Sequence, residues 1–117
     1  MPELLRTVEG DRVEVHVLDE YEGEAREVEI DGERCWLLVD ICTQFSFRRS
    51  KAREPEWREA NCRRDCLRPV IYSIPSRTHY VHGYAINAEG VERLGGMSTR
   101  SWKLPRQPHG VRKAVAR

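Results

Sequence analysis

Glu24–Cys42 reads EAREVEIDGERCWLLVDIC, and this stretch decides the fold class. Val28 and Ile30 alternate with charged neighbours, as on a strand with one buried face. Asp31-Gly32 is a residue pair that tolerates the positive φ angles of a two-residue hairpin turn. Cys35-Trp36-Leu37-Leu38 is the returning strand, and a helix is expected from about residue 40, with Asp40 favoured near its N-terminus by the exposed amides there. Strand, tight turn, strand and helix therefore follow one another within nineteen residues.

Upstream, Arg12–Leu18 alternates Val13, Val15 and Val17 against Arg12, Glu14 and His16, which predicts a strand with the valines inward. Downstream, Pro69–Ile74 and His79–Ile86 form the two arms of a second hairpin around a Pro75–Thr78 turn. Asn87 is an N-cap for a helix that places Val91 and Leu94 inward and ends at Gly95-Gly96. The expected architecture is α+β: a small antiparallel sheet built from two hairpins, with three short helices near 40–47, 56–66 and 88–95. At 117 residues the chain suits one domain, expected over 1–105, followed by a flexible basic tail over 106–117 that carries Pro108 and Gly110.

The net charge of +1 conceals a division. Residues 1–40 hold 13 acidic and 4 basic side chains, whereas residues 41–117 hold 6 acidic and 16 basic ones. Such segregation implies a surface with one cationic side. Arginine makes up 17 of the 20 basic residues, and its planar fork can donate two parallel hydrogen bonds to a phosphate. The acid-free run Arg48-Arg49-Ser50-Lys51-Ala52-Arg53 is the sharpest basic feature, because the bases of 54–66 have Glu54, Glu56, Glu59 and Asp65 for local pairing. Lys and Arg gathered on one face displace counterions from a nucleic acid. The expected phosphate contacts are Arg48, Arg49, Lys51, Arg53, Arg63, Arg64, Arg100 and Lys103, with the acidic N-terminal part turned away from the nucleic acid.

No nucleotide-binding loop, dinucleotide fingerprint or metalloprotease helix is present, and no cysteine has a nucleophile signature, so catalysis is not expected. Cys62, Cys66, His79 and His82 approach a two-Cys, two-His zinc spacing but leave two residues between the histidines where three to five are wanted. Those histidines also fall on an expected strand, where residues three apart face opposite sides. Neither metal nor cofactor is therefore expected. No apolar run is long enough for a membrane span, the N-terminus has charges where an export signal needs apolar residues, and a cytoplasmic protein is the expectation.

Three stretches resemble the BRO-N domain, the N-terminal module of phage antirepressor-like and baculovirus BRO proteins. They are Arg26, Val28, Ile30, Asp31, Gly32, Glu33, Trp36, Asp40, Ile41 and Cys42; then Ile86-Asn87-Ala88-Glu89-Gly90-Val91-Glu92-Arg93-Leu94; then Arg100-Ser101-Trp102-Lys103-Leu104-Pro105. They occur in the family's order, and Cys35 stands where the family usually has Pro. The resemblance implies a DNA-binding module in a phage, prophage or bacterial regulatory setting, with DNA as partner. The other reading is a small protein-interaction module that docks on a repressor or host protein without touching DNA. Self-association into a homo-oligomer is compatible with either.

Overall fold

The computed structural model describes the backbone of residues 5–7, 10–15, 19–76, 79–97 and 112–115, and side chains within 12–15, 19–76 and 79–97. It is a mixed α+β fold. The strands are β1 (Leu5–Thr7), β2 (Gly10–Val15), β3 (Glu27–Ile30), β4 (Glu33–Leu37), β5 (Leu67–Tyr72), β6 (Val81–Asn87) and β7 (Arg112–Val115). The helices are α1 (Leu38–Gln44), α2 (Pro55–Asn61) and α3 (Ala88–Gly95), with 3₁₀ turns at Arg49–Arg53 and Arg64–Cys66.

The Asp31-Gly32 hairpin forms as its residues require: both have positive φ, 50° and 81°, and Val28 faces Cys35 across the antiparallel β3–β4 pair. The β5–β6 pair is also antiparallel, with Val70 opposite Gly83. The sheet as a whole is not the antiparallel one expected. It is mixed, with order β1-β2-β5-β6-β4-β3-β7, and β2 runs parallel to β5 and β3 parallel to β7. Strand β7 also pairs with β2, so the sheet curls round and meets itself. Of the segment 106–117, then, Arg112–Val115 is a strand, and the rest lies outside the described residues.

Curling explains why the strands are buried on both faces. On the concave side Val15, Val28, Ile30, Cys35, Leu37, Val70, Tyr72 and Ala85 make one core. Their neighbours in the pleat point outward, and Trp36 and Ile86 join Leu38, Ile41, Cys42, Phe45, Val91 and Leu94 under the helices. Glu27, buried in β3, is held by a bidentate Arg34 at 2.7 and 2.8 Å, and Arg34 lies over the Trp36 ring.

The helix ends follow local rules. Asn87 caps α3, its Oδ1 accepting from the Gly90 amide at 3.0 Å. Helix α1 begins two residues before the expected position and closes with paired bonds, Phe47 N to Cys42 O and Ser46 N to Thr43 O, around Ser46 at φ 63°. That turn delivers the chain into the basic segment. Helix α2 starts at Pro55, where a missing amide costs nothing, and stops at Asn61 rather than 66. All four cysteines are free and buried. Among the described residues no helix is long and apolar enough to cross a membrane.

Candidate nucleic-acid interface

The basic run after α1 does not lie flat. It is wound into the Arg49–Arg53 3₁₀ turn, with Ala52 buried beneath it, and α2 doubles back so that Phe47 and Trp57 meet edge to face at 5.6 Å. Arg58 in α2 is buried, and its Nη1 donates to Ala52 O at 2.9 Å, tying helix to turn. The turn, α2 and the β5–β6 pair thereby enclose a cleft of about 280 Å³.

Five arginines line it: Arg12 from β2, Arg26 from the approach to β3, Arg49 and Arg53 from the 3₁₀ turn, and Arg58 from α2. Tyr72, His82 and Tyr84 complete much of the wall, and no acidic side chain lines the cleft among the described residues. The floor is built from fixed guanidiniums. Arg12 donates through Nη1 to the carbonyls of Val70, at 3.2 Å, and Gly83, and its guanidinium lies 5.0 Å from the Tyr84 ring centroid. Arg58 lies 4.3 Å from the same ring, so two cations share one aromatic surface.

Behind the cleft, Asp40 is fully buried and acts as the anchor. Its carboxylate accepts from the Arg26 amide at 2.9 Å and from Arg26 Nε and Nη2 at 2.9 and 3.1 Å, and Arg49 Nη1 lies 3.6 Å away. Burial pulls the Arg26 guanidinium toward neutrality, but the hydrogen bonds and charge of Asp40 outweigh it and raise its pKa above the ordinary value. The Tyr72 hydroxyl is raised by burial, against the lowering fields of Arg26, Arg49 and Arg53.

The expected site residues divide into groups. Arg49 and Arg53 enter the cleft, and exposed Arg48 and partly exposed Lys51 stand on the same segment, Lys51 beside Glu54 at 3.5 Å. Arg63 is instead held by Asp65 at 2.9 Å and lies 3.8 Å from Glu89, while Arg64 is 4.0 Å from Glu59. Arg64 belongs to a second, larger depression of about 840 Å³ with Pro55, Cys62 and Leu67, which shares Arg58 and Tyr84 with the cleft. Arg100 and Lys103 lie outside the described residues.

Arg12, Arg26 and Arg58 were not among the residues expected from the sequence. Arg12 should have pointed to solvent by strand alternation, yet it is 3% exposed, because β2 pairs with three different strands and the carbonyls of β5 and β6 receive its guanidinium. Asp40, read as a helix-start residue, is a buried ion-pair anchor as well. A charged residue inside an otherwise apolar helix start was the available signal.

The acidic connection after β2 does not turn away from this face. Gln44 Nε2 donates to the Tyr21 hydroxyl at 3.1 Å and to Gly23 O at 2.6 Å, Arg26 Nη1 donates to Asp19 O at 2.9 Å, and Arg49 lies over the Tyr21 ring at 5.4 Å. Exposed Asp19 and Glu20 are therefore carried close to Arg26 at the edge of the cleft.

The near-zinc quartet does not assemble. Cys62 and Cys66 are packed in the helix-side core, His79 and His82 are exposed, and among the described residues no three potential metal ligands are grouped. Burial, the largest influence, pushes the thiols of Cys35 and Cys42 up to about 12 and that of Cys62 to about 11, leaving them poor nucleophiles at neutral pH. No family model matches the chain, and no curated protein or solved structure is significantly similar to it.

Proposed function

We propose that the chain is a DNA-binding module of the BRO-N kind, and that it engages phosphates through the arginine cleft and the Arg48–Arg53 segment at its rim. What supports the reading is one observation: five guanidiniums, drawn from positions as far apart in sequence as Arg12 and Arg58, converge on a single concave face that no acidic side chain lines among the described residues. Phosphate oxygens accept forked hydrogen bonds from such a cluster and exchange their counterions for it. In this reading Arg49 and Arg53 make the outer contacts, with Arg48 and Lys51 beside them. Arg63 and Arg64, engaged with Asp65 and near Glu59, contribute weakly. The test is fluorescence anisotropy of labelled duplex DNA over a salt series. Affinity should fall steeply as salt rises from about 50 to 200 mM, and binding that is absent or indifferent to salt defeats the proposal.

A second reading draws on the acidic 19–24 connection beside the cleft. A surface that carries both signs side by side suits a protein partner with a complementary pair of patches better than a uniformly anionic duplex. A partner retained by the immobilised chain after nuclease treatment, with no DNA shift at low salt, decides for this alternative.

A further inference from the structure

We infer that the arginine cleft is a receptor for one phosphomonoester group, either the terminal phosphate of a nucleic-acid strand or the phosphate of a free mononucleotide. This goes beyond duplex binding and can hold where that reading fails.

Depth is the first reason. Arg12 and Arg58 are 3% and 8% exposed, and the Arg26 side chain 12%, so a polyanion lying along the rim meets Arg49 and Arg53 but not the floor. Only a group that projects into the cavity reaches the buried guanidiniums. At about 280 Å³ the cavity sits at the small end of ligand sites, the size of a nucleotide fragment rather than a groove for a helix.

Charge is the second. A phosphomonoester carries about −1.5 to −2 at neutral pH, against one charge for an internal phosphodiester, and so gains more from a cluster of cations. The floor guanidiniums are held in place before any ligand arrives: Arg12 by two carbonyls, Arg58 by Ala52 O, and Arg26 by Asp40 and Asp19 O. Little side-chain freedom then remains to be lost on binding.

The third reason is the acidic edge. A duplex laid across the cleft brings its backbone toward exposed Asp19 and Glu20, whereas a strand end or a mononucleotide needs only the cavity.

The experiment uses the full chain and two sets of probes. One labelled oligonucleotide is prepared with hydroxyl ends, with a 5′-phosphate and with a 3′-phosphate. Adenosine 5′-monophosphate, inorganic phosphate and adenosine are tested as competitors and by calorimetry. A phosphorylated end should tighten binding by about tenfold or more, monophosphate and phosphate should compete, and adenosine should not. Affinity for the phosphorylated end well above that for the monophosphate assigns the strand end as source; similar affinities assign the free nucleotide. Arg53→Gln should cut the preference for phosphorylated ends without unfolding the chain, because Arg53 is exposed and holds no structural hydrogen bond among the described residues. Arg58→Gln, with folding checked by circular dichroism, should abolish it. Equal affinity for all ends, with no heat from phosphate or monophosphate at about 1 mM, overturns the inference even where duplex binding is salt-dependent. Monophosphate binding without duplex binding sustains it and removes the duplex reading instead.

Discussion

Asp40→Ala tests whether one buried carboxylate organises the cleft. The substitution removes the acceptor for the Arg26 amide at 2.9 Å and for its Nε and Nη2 at 2.9 and 3.1 Å. Breaking a buried pair from one side costs about 3–5 kcal/mol, because the surviving charge is left without compensation. An amide stranded without an acceptor adds about 1–3 kcal/mol. Arg26 borders the cleft and retains its bond to Asp19 O, so water entering there offsets part of both penalties. The net loss should be about 3 kcal/mol, a large fraction of the roughly 10 kcal/mol typical for a domain of this length. Asp40→Asn preserves shape and one acceptor oxygen, and should cost about 1–2 kcal/mol. Urea unfolding followed by tryptophan fluorescence reads both, with the midpoint lowered and the slope m unchanged. The two variants should separate in binding as well: Asp40→Asn removes the negative charge behind the floor and should tighten phosphate or DNA binding. A loss below about 1 kcal/mol for the alanine variant, or weaker anion binding by a folded asparagine variant, refutes the role assigned to Asp40.

Three further outcomes are expected. Gly90→Ala should destabilise although alanine favours helices: a Cβ there would sit 2.5 Å from Ile86 Cγ1 and 3.0 Å from Cys66 Cβ, so overpacking of about 1–3 kcal/mol exceeds a propensity gain of about 1 kcal/mol, and an increased melting temperature would contradict the packing. Stability should decline in alkali. The folded thiols of Cys35, Cys42 and Cys62 titrate at about 11 to 12 against an ordinary 9.0, so their contribution is full below pH 9 and is lost as pH rises toward those values, at up to about 1.4 kcal/mol per unit for each thiol. Denaturant midpoints at pH 7 and pH 10 measure this, and equal midpoints would rule it out. Arg53→Gln should lower the salt dependence of DNA binding by about one phosphate contact while leaving the unfolding midpoint in place; an unchanged slope removes Arg53 from the interface.

The cleft faces two demands that pull in different directions. Its floor is fixed because each deep guanidinium is bound to a carbonyl or carboxylate, whereas its mouth is formed by exposed Arg53 and by Arg49, which is half-exposed but tied to Thr43 at 3.1 Å. Under the proposed phosphate reading, such a floor would orient a single anionic group while exposed Arg53 adapts to its approach. Arg58 and Tyr84 line both the cleft and the depression that holds Arg64, so the two are continuous.

The parts of the fold that were readable from the sequence are those governed by neighbours along the chain. Asp31-Gly32 accepts positive φ, so the β3–β4 hairpin follows; Asn87 offers an acceptor to Gly90, so α3 begins there; and Val28 and Ile30 are both buried, although Glu27, which alternates with them, is buried as well. The basic run of 48–53 was equally plain. What no local rule could supply was the company those residues keep. The parallel β2–β5 pairing joins segments more than fifty residues apart and covers the face of β2 on which Arg12 lies, so the residue is buried although it alternates with Val15. The parallel β2–β5 and β3–β7 pairs make the sheet mixed instead of antiparallel, and the return of β7 to β2 curls it onto itself. Asp40 becomes the anchor of Arg26 only because the turn before β3 packs over the start of α1. Strand periodicity, caps and turns act over a few residues and are written in composition; the gathering of five guanidiniums round one cavity is a consequence of non-local pairing, which only the folded chain decides.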